Sequence, residues 1–391
     1  MIALLRRFPV WRIIFALLML GGAYVTWLRV FSGLGAVTHL TDQFAWGLWV
    51  GFDVLCGVGL AAGGFTLVAV VHIFNIEKYR PILRPAILTA FLGYLLVIVA
   101  LLFDLGRPDR LWHPLVMWNP HSVMFEVAWC VMLYTTVLSL EFAPVVLEKF
   151  GFHRQLRWLH YIEVPLIIMG VILSTLHQSS LGTVYLIVPD KLDPLWYSPL
   201  MPFFFYLSAI CVGLAMTIFE SWHSSRAFNR QLEAPLLAGL ARVLAVLLSV
   251  YLVIRFLDMN HRGGVLKLMQ PRTETYMFLL EIALLAIPAA LLFRSHIRHR
   301  PAALYMCAVM VVFGFIANRL NVSITGMERA SGVSYIPKWS EVVVTLAIVA
   351  AGFAIFRFAA KYLPIFEDPH HDSAREAGEG DREELMAVSR V

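Results

Sequence analysis

The stretch that decides the fold is residues 46–74, which read WGLWVGFDVLCGVGLAAGGFTLVAVVHIF. This run is almost entirely apolar, and about 20 apolar residues suffice for a helix to cross a bilayer. It lacks the alternation of apolar and polar residues that a membrane β-strand needs. Its six glycines predict that neighbouring helices approach it closely. We therefore predict a membrane-spanning helix here, with Asp53 inside the bilayer.

Nine more segments of the same kind flank this one, which predicts an all-α bundle of about ten transmembrane helices in residues 1–365. They are approximately residues 12–31, 82–103, 121–147, 158–186, 200–222, 236–258, 276–293, 301–320 and 340–363. The polar, acidic remainder, residues 366–391, is expected to be a disordered cytoplasmic tail. The first apolar run is too long for the hydrophobic part of a cleaved signal peptide, so it is expected to be a retained helix.

The composition supports a membrane protein and excludes a soluble domain. Hydrophobic residues make up 60% of the chain and charged residues 15%, whereas soluble domains carry about 25% charged residues. The net charge of +5 is attributed to basic loops at a membrane surface and not to nucleic-acid binding. More lysines and arginines fall on the side of the N-terminus, which predicts cytoplasmic termini in a multi-pass protein of the bacterial inner membrane.

Titratable residues inside these spans divide into two layers. Asp53, Glu126 and His177 lie on helices 2, 4 and 5, each within about two turns of the predicted outer face. A charged side chain at a helix centre is disfavoured by about 2.5–3.5 kcal/mol on insertion scales, so a cluster of them suggests function. We predict that these three residues are catalytic.

The inner layer predicts a proton path from the cytoplasm. Glu126 and Glu141 share one face of helix 4 with Tyr134, since the spacing follows steps of three and four residues. Gly170, Ser174 and His177 likewise share a face of helix 5 with Glu163. The candidate path comprises Glu141, Glu163, Glu220, Tyr134 and Arg84. Tyr94, Trp46, Trp49 and Ser174 are candidate quinone-binding residues, with the two tryptophans expected at the membrane interface.

Two acids and an imidazole in a hydrophobic bundle match the needs of quinone chemistry, because reduction of a quinone consumes two protons as well as two electrons. Structural roles remain open: an acid could pair with Arg84, Arg255 or Arg319, and His72 and His160 lie near helix ends. The four cysteines are isolated within apolar runs, so neither a metal site nor an iron–sulfur cluster is expected in this chain.

Four stretches of the sequence resemble a known family. The longest is residues 31–64, which read FSGLGAVTHLTDQFAWGLWVGFDVLCGVGLAAGG. The others are HSVMFEVAW around Glu126, LEFAP around Glu141 and STLHQSSLG around His177. Together they resemble the NrfD/PsrC-like quinone-interacting membrane subunits, and most of all the ten-helix subunit of hydrogenase-2-type nickel–iron hydrogenases. The resemblance covers roughly residues 10–365.

This resemblance implies a quinone site near the outer face, which receives electrons from a ferredoxin-like iron–sulfur subunit docked in the periplasm and joined to the large and small hydrogenase subunits. Asp53, Glu126 and His177 occupy the matching motifs, and Tyr94 and Arg84 matching places on helix 3. The resemblance also implies proton-conducting residues on the cytoplasmic side, and Glu141 and Glu220 fit this role. It further implies that the chain carries no haem. Menaquinone and ubiquinone both remain open as substrates.

Other functions are carried as alternatives. A polysulfide or molybdenum reductase, or a multihaem cytochrome, could replace the hydrogenase as electron donor. A b-haem cytochrome would need two histidines at equal depth, for which His72 and His160 are the plausible pair. An ion-coupled transporter would also use buried acids, and a mere membrane anchor would leave the outer layer unexplained.

Overall fold

The computed structural model describes residues 10–366, and within that range the regular structure is entirely helical. Ten helices are long and apolar enough to cross a membrane, which confirms the predicted fold class. They are α1 (Val10–Ser32), α2 (Trp49–Ile73), α3 (Glu77–Asp104), α4 (Val123–Phe150), α5 (His153–Leu186), α6 (Met201–Ala227), α7 (Ala234–His261), α8 (Thr273–Leu292), α9 (Pro301–Ser331) and α10 (Trp339–Tyr362). The predicted tail lies outside the described residues, except for its first position.

The helices form two packed groups. Helices α2 to α5 make the first group and α6 to α9 the second, and α6 joins them by packing against both α2 and α5. Helices α1 and α10 pack on each other, and α10 also covers α3. The end that holds the α1–α2, α3–α4 and α5–α6 connections is called the outer end below.

Most of the helices are longer than the apolar pattern predicted, and α5 and α9 illustrate the reasons. Helix α5 begins at His153 instead of near residue 158, because residues 153–157, all polar except Leu156, form its first turn beyond the apolar run. Helix α9 continues to Ser331 through a π-helical turn, Asn321–Thr325. Its polar side chains are compatible with a membrane helix because Asn321 donates to a buried carboxylate, that of Glu281, 3.0 Å away.

Helix α2 departs from regular α geometry at three places. It begins with a π-helical turn, Trp49–Val54, is interrupted at Ala61 and Ala62, and ends with a second π-helical turn, Ala69–Ile73. The interruption lies where α6 touches the backbone: a Cβ atom added to Gly213 would lie 2.8 Å from the backbone nitrogen of Gly63. The close helix approach predicted from the glycines of α2 is therefore present.

Candidate functional site

Two of the three acids of α4, Glu126 and Glu141, both contact α5, in agreement with the shared face that their spacing predicted. Ser180 donates a hydrogen bond to Glu126 near the outer end of the bundle. About four helical turns further along the chain, Glu141 lies against Gly170, where an added Cβ would come within 2.9 Å of Glu141 Oε1. Glu126 is exposed on the surface of the bundle and not buried as expected, because it lies at the edge of the α4–α5 contact.

Between these two acids lies a cluster of buried polar side chains, Tyr94 of α3, Tyr134 of α4 and His177 of α5. The ring centroids of Tyr94 and Tyr134 are 4.7 Å apart, and those of Tyr94 and His177 are 5.6 Å apart. All three side chains are at most 1% exposed. We call them the Tyr–His cluster. The structure thus joins α3, α4 and α5 through these three side chains.

The polar atoms of the Tyr–His cluster have no hydrogen-bond partner among the described residues. Both hydroxyl groups and both imidazole nitrogens are in this state, and so is Oε1 of the neighbouring Gln178, whose Nε2 donates to the Val58 carbonyl at 3.1 Å. Buried polar atoms in proteins are nearly always paired, and each exception needs an explanation. Four unpaired donors and acceptors in one cluster can orient and protonate a polar ligand head.

Asp53 has a different neighbourhood from the one that the sequence predicted. Its carboxylate is buried and accepts a hydrogen bond of 2.8 Å from Thr345 of α10. Trp49, one turn earlier, is also buried and donates to the Glu341 carbonyl at 3.2 Å. Both side chains therefore contact α10, and the Trp49 ring is buried within the bundle. The structure gives Asp53, Glu126 and His177 three separate sets of contacts.

A cavity of about 360 Å³ opens at the outer end, between the start of α2 and the ends of α5 and α9. Its lining includes Trp46, Asp42 and Lys191. The Trp46 ring contacts that of Tyr185 edge-on, with centroids 5.7 Å apart. Ligand pockets have typical volumes of about 300–1,000 Å³, so the cavity is large enough for a ring system. Of the candidate quinone-binding residues, Trp46 lines it; Ser174 is buried and donates to its own helix backbone.

The candidate proton-path residues are found at two depths. Glu220 accepts a hydrogen bond of 2.7 Å from Thr89 and so links α6 to α3. Glu163 is only half-buried and pairs with His160 at 3.2 Å. Arg84 contacts Glu148 at 3.1 Å and the Pro364 carbonyl at the inner end. Glu141 and Glu220 thus lie within the bundle, whereas Glu163 and Arg84 form pairs with substantial solvent or lipid exposure.

The second group of helices contains a charge network that was not predicted from the sequence, centred on Glu281 of α8. This carboxylate is fully buried and pairs with Arg255 of α7 at 3.0 Å. It also accepts hydrogen bonds from Trp196 and Asn318, both at 2.8 Å, as well as the one from Asn321. An acid within the apolar run 276–293 was the available signal, but it was not weighed.

Arg319 of α9 completes what we call the Glu281 network. It donates to Asn318 at 2.6 Å and to Ser208 at 2.9 Å, and its guanidinium carbon lies 3.7 Å from the ring centroid of Phe205. Arg255 likewise donates to Tyr251 at 2.6 Å. Arg255 therefore pairs directly with this carboxylate, whereas Arg319 is linked to it through Asn318.

The histidines of the described residues differ in burial. His177 is the only buried one among them. His72 and His160, the pair considered from the sequence for a b-haem, are exposed. The described part of the chain also has no group of three or more His, Cys, Asp or Glu side chains that could hold a metal ion.

Comparison with known proteins agrees with this architecture. The family described as "Polysulphide reductase, NrfD" matches residues 36–330. A protein of Nitratidesulfovibrio vulgaris (strain Hildenborough) is 36% identical over 373 residues, which cover 93% of this chain and 96% of its own length.

Two further relatives have descriptive names. The "Probable Ni/Fe-hydrogenase 2 b-type cytochrome subunit" of Escherichia coli K12 is 32% identical and covers 86% of this chain and 87% of its own length. The "Menaquinone reductase, integral membrane subunit" of N. vulgaris is 29% identical, with 93% of each chain covered. The predicted family and the predicted multi-pass membrane location are confirmed: the chain belongs to the NrfD family of integral membrane proteins.

Proposed function

We propose that this chain is the quinone-reactive membrane subunit of a respiratory oxidoreductase complex. The observation that supports this most is the Tyr–His cluster, whose buried hydroxyl and imidazole groups have no partner among the described residues. A quinone supplies the two carbonyl oxygens that such groups recognise, and its protonation requires donors placed beside it. Relatives named for menaquinone reductase and hydrogenase point to the same class of complex.

Each residue then has a separate task. Tyr94 and Tyr134 orient the quinone head by donating hydrogen bonds, since both hydroxyl groups are free to do so. His177 delivers a proton at its ring nitrogen, and Glu126 delivers the other from its carboxyl group beside Ser180. Asp53, which faces α10, helps to fix α2 through Thr345 and acts on the quinone only indirectly. Of the two quinones, menaquinone is the proposed substrate, because a relative is named for menaquinone reductase.

The proposed donor is a periplasmic iron–sulfur protein joined to a nickel–iron hydrogenase, which requires that the outer end faces the periplasm. A polysulfide or molybdenum reductase, or a multihaem cytochrome, is the alternative donor. The test is to purify the tagged chain from native membranes and to assay the co-purified complex for reduction of a menaquinone analogue. Hydrogen-dependent reduction together with bound nickel would support the hydrogenase; reduction with another donor alone would replace it. A purified complex that reduces no quinone would overturn the proposal.

Proton conduction from the cytoplasm is assigned to Glu141 and Glu220, which lie within the bundle and on the inner side of the Tyr–His cluster. Glu141→Gln cannot release a proton, so we expect charge movement across proteoliposomes to fall about 10²-fold or more, the range for loss of a proton-transfer group. Quinone reduction itself should continue, since Glu126 and His177 remain.

The matched control is Glu148→Gln on the same helix, whose carboxylate pairs with Arg84 at the inner end. Its charge movement should equal that of the unmodified complex. If Glu141→Gln and Glu220→Gln both retain full charge movement per quinone reduced, these two residues are not on a conducting path.

A further inference from the structure

The α3–α4 connection, residues 105–122, carries a dense set of exposed apolar side chains. Within residues 111–118 six large apolar residues are between 37% and 64% exposed. They are Leu111, Trp112, Leu115, Val116, Met117 and Trp118, and we call them the aromatic shelf. The quinone chemistry proposed above uses none of them. Such a contiguous exposed apolar surface marks contact with a partner or with a membrane.

We infer that the aromatic shelf is embedded in the outer-leaflet interface of the bilayer, with lipid as its partner. The connection is joined to membrane spans at both ends, so its distance from the bilayer is limited. Its backbone also bends back towards α4: Trp129, in the second turn of that helix, donates a hydrogen bond of 2.9 Å to the Pro114 carbonyl. The shelf therefore lies alongside the first turns of α4 and not above them.

Ring contacts hold the shelf in this position. The Trp118 ring lies 4.9 Å from that of Trp129 and 5.9 Å from that of Phe125, measured between centroids. Trp118 Nε1 also donates to the Leu115 carbonyl at 3.1 Å. Despite these contacts Trp118 remains 64% exposed. Tryptophan is enriched at the membrane–water interface because its ring is amphipathic.

The surface around the shelf continues in apolar side chains. Met124 and Leu133 of α4 and Leu176 of α5 are 43–55% exposed, and they form part of the lipid-facing wall of the bundle. The start of the same connection is charged instead, with an exposed pair between Arg107 and Asp109 at 3.0 Å. A charged end in the headgroup layer and an apolar end at the acyl boundary is the arrangement of an interfacial segment.

The position of the aromatic shelf affects how a quinone reaches Glu126, and this consequence rests on the proposed function. Phe125 and Trp129, the partners of Trp118, flank the exposed carboxylate of Glu126 along α4. The aromatic shelf therefore borders the approach to Glu126 from the lipid. A quinone that moves within the bilayer would pass the shelf before it reaches this acid.

Nitroxide labels and collision measurements test the lipid contact independently of any quinone activity. Single cysteines would replace Met117 in the shelf, Asp109 in the charged end and Leu133 on the lipid-facing wall. The four native cysteines are buried and leave these surface positions to react. Oxygen concentrates in lipid and a nickel chelate concentrates in water, so the logarithm of their collision ratio reports the depth of the label.

In the complete complex in lipid nanodiscs, we expect a positive ratio at position 117, close to that at position 133, and a negative ratio at position 109. A negative ratio at position 117 would show that the shelf faces water and would overturn the inference. Low collision rates with both reagents would show that a protein subunit covers it, with the same consequence. A complex that is inactive with quinones would still give either result, so this test and that of the proposed function can fail separately.

Discussion

His177→Ala and Glu126→Gln are each expected to lower the rate of quinone reduction by the assembled complex about 10²- to 10⁴-fold, the range typical for loss of a general acid. Each change removes one proton donor. The loss should appear in kcat more than in KM, because Tyr94 and Tyr134 remain to bind the quinone. The measurement is steady-state quinone reduction by complex purified through a tag on a partner subunit, which also reports assembly.

His177→Ala should leave the fold intact for a structural reason. Neither imidazole nitrogen has a hydrogen-bond partner among the described residues, so removal of the ring orphans no other group. His153→Ala and Glu148→Gln are the matched controls, since both lie on the same helices at exposed positions of the inner end. Normal turnover in a well-assembled His177→Ala or Glu126→Gln complex would remove that residue from the catalytic assignment.

How far the sequence could predict this site depends on the regularity of each helix. On α4 the spacing of three and four residues predicted that Glu126 and Glu141 share one face, and both contact α5 because α4 and α5 are α-helical along that contact. The prediction that Asp53 joins Glu126 and His177 was made from depth along each helix alone, and the structure does not bring these residues together.

The difference lies in the backbone of α2. Asp53 is within the π-helical turn Trp49–Val54, where each hydrogen bond spans five residues instead of four. Such a turn rotates the residues before it relative to those after it, so a face projected from an ideal helix is wrong. No residue pattern in 46–74 signals the turn. Its partner turn in α9 is adjacent: Ser323 Oγ would lie 2.3 Å from a Cβ added to Gly51.

The Glu281 network shows a second limit. Single charged residues within apolar runs can be recognised in the sequence. From the sequence, Arg255 and Arg319 were therefore considered as ion-pair partners of buried acids. Which acid they pair with depends on the packing of α7, α8 and α9, and sequence spacing within one helix contains no information on this. The ten spans could be predicted because length and hydropathy are local properties.

Glu281→Gln is expected to cause the largest loss of stability of any single change considered. The buried guanidinium group of Arg255 would then lose the carboxylate with which it pairs. Breaking a buried ion pair by removing one partner costs about 3–5 kcal/mol in free energy of unfolding, because the remaining charge is not compensated. Trp196, which attaches the α5–α6 connection to Glu281, would donate to a neutral amide oxygen instead of a carboxylate. Less folded protein should reach the membrane.

The control for this change is Glu163→Gln, which breaks the exposed pair with His160; exposed pairs contribute about 0–1 kcal/mol.

A second variant separates excess charge from lost packing. Adding Arg255→Met to Glu281→Gln removes the cation left without its carboxylate, so the double variant should be more stable than Glu281→Gln alone, which is the sign expected of coupled residues. Thermal unfolding in nanodiscs measures all three. If the two glutamate variants unfold at the same temperature, the network does not stabilise the second group of helices.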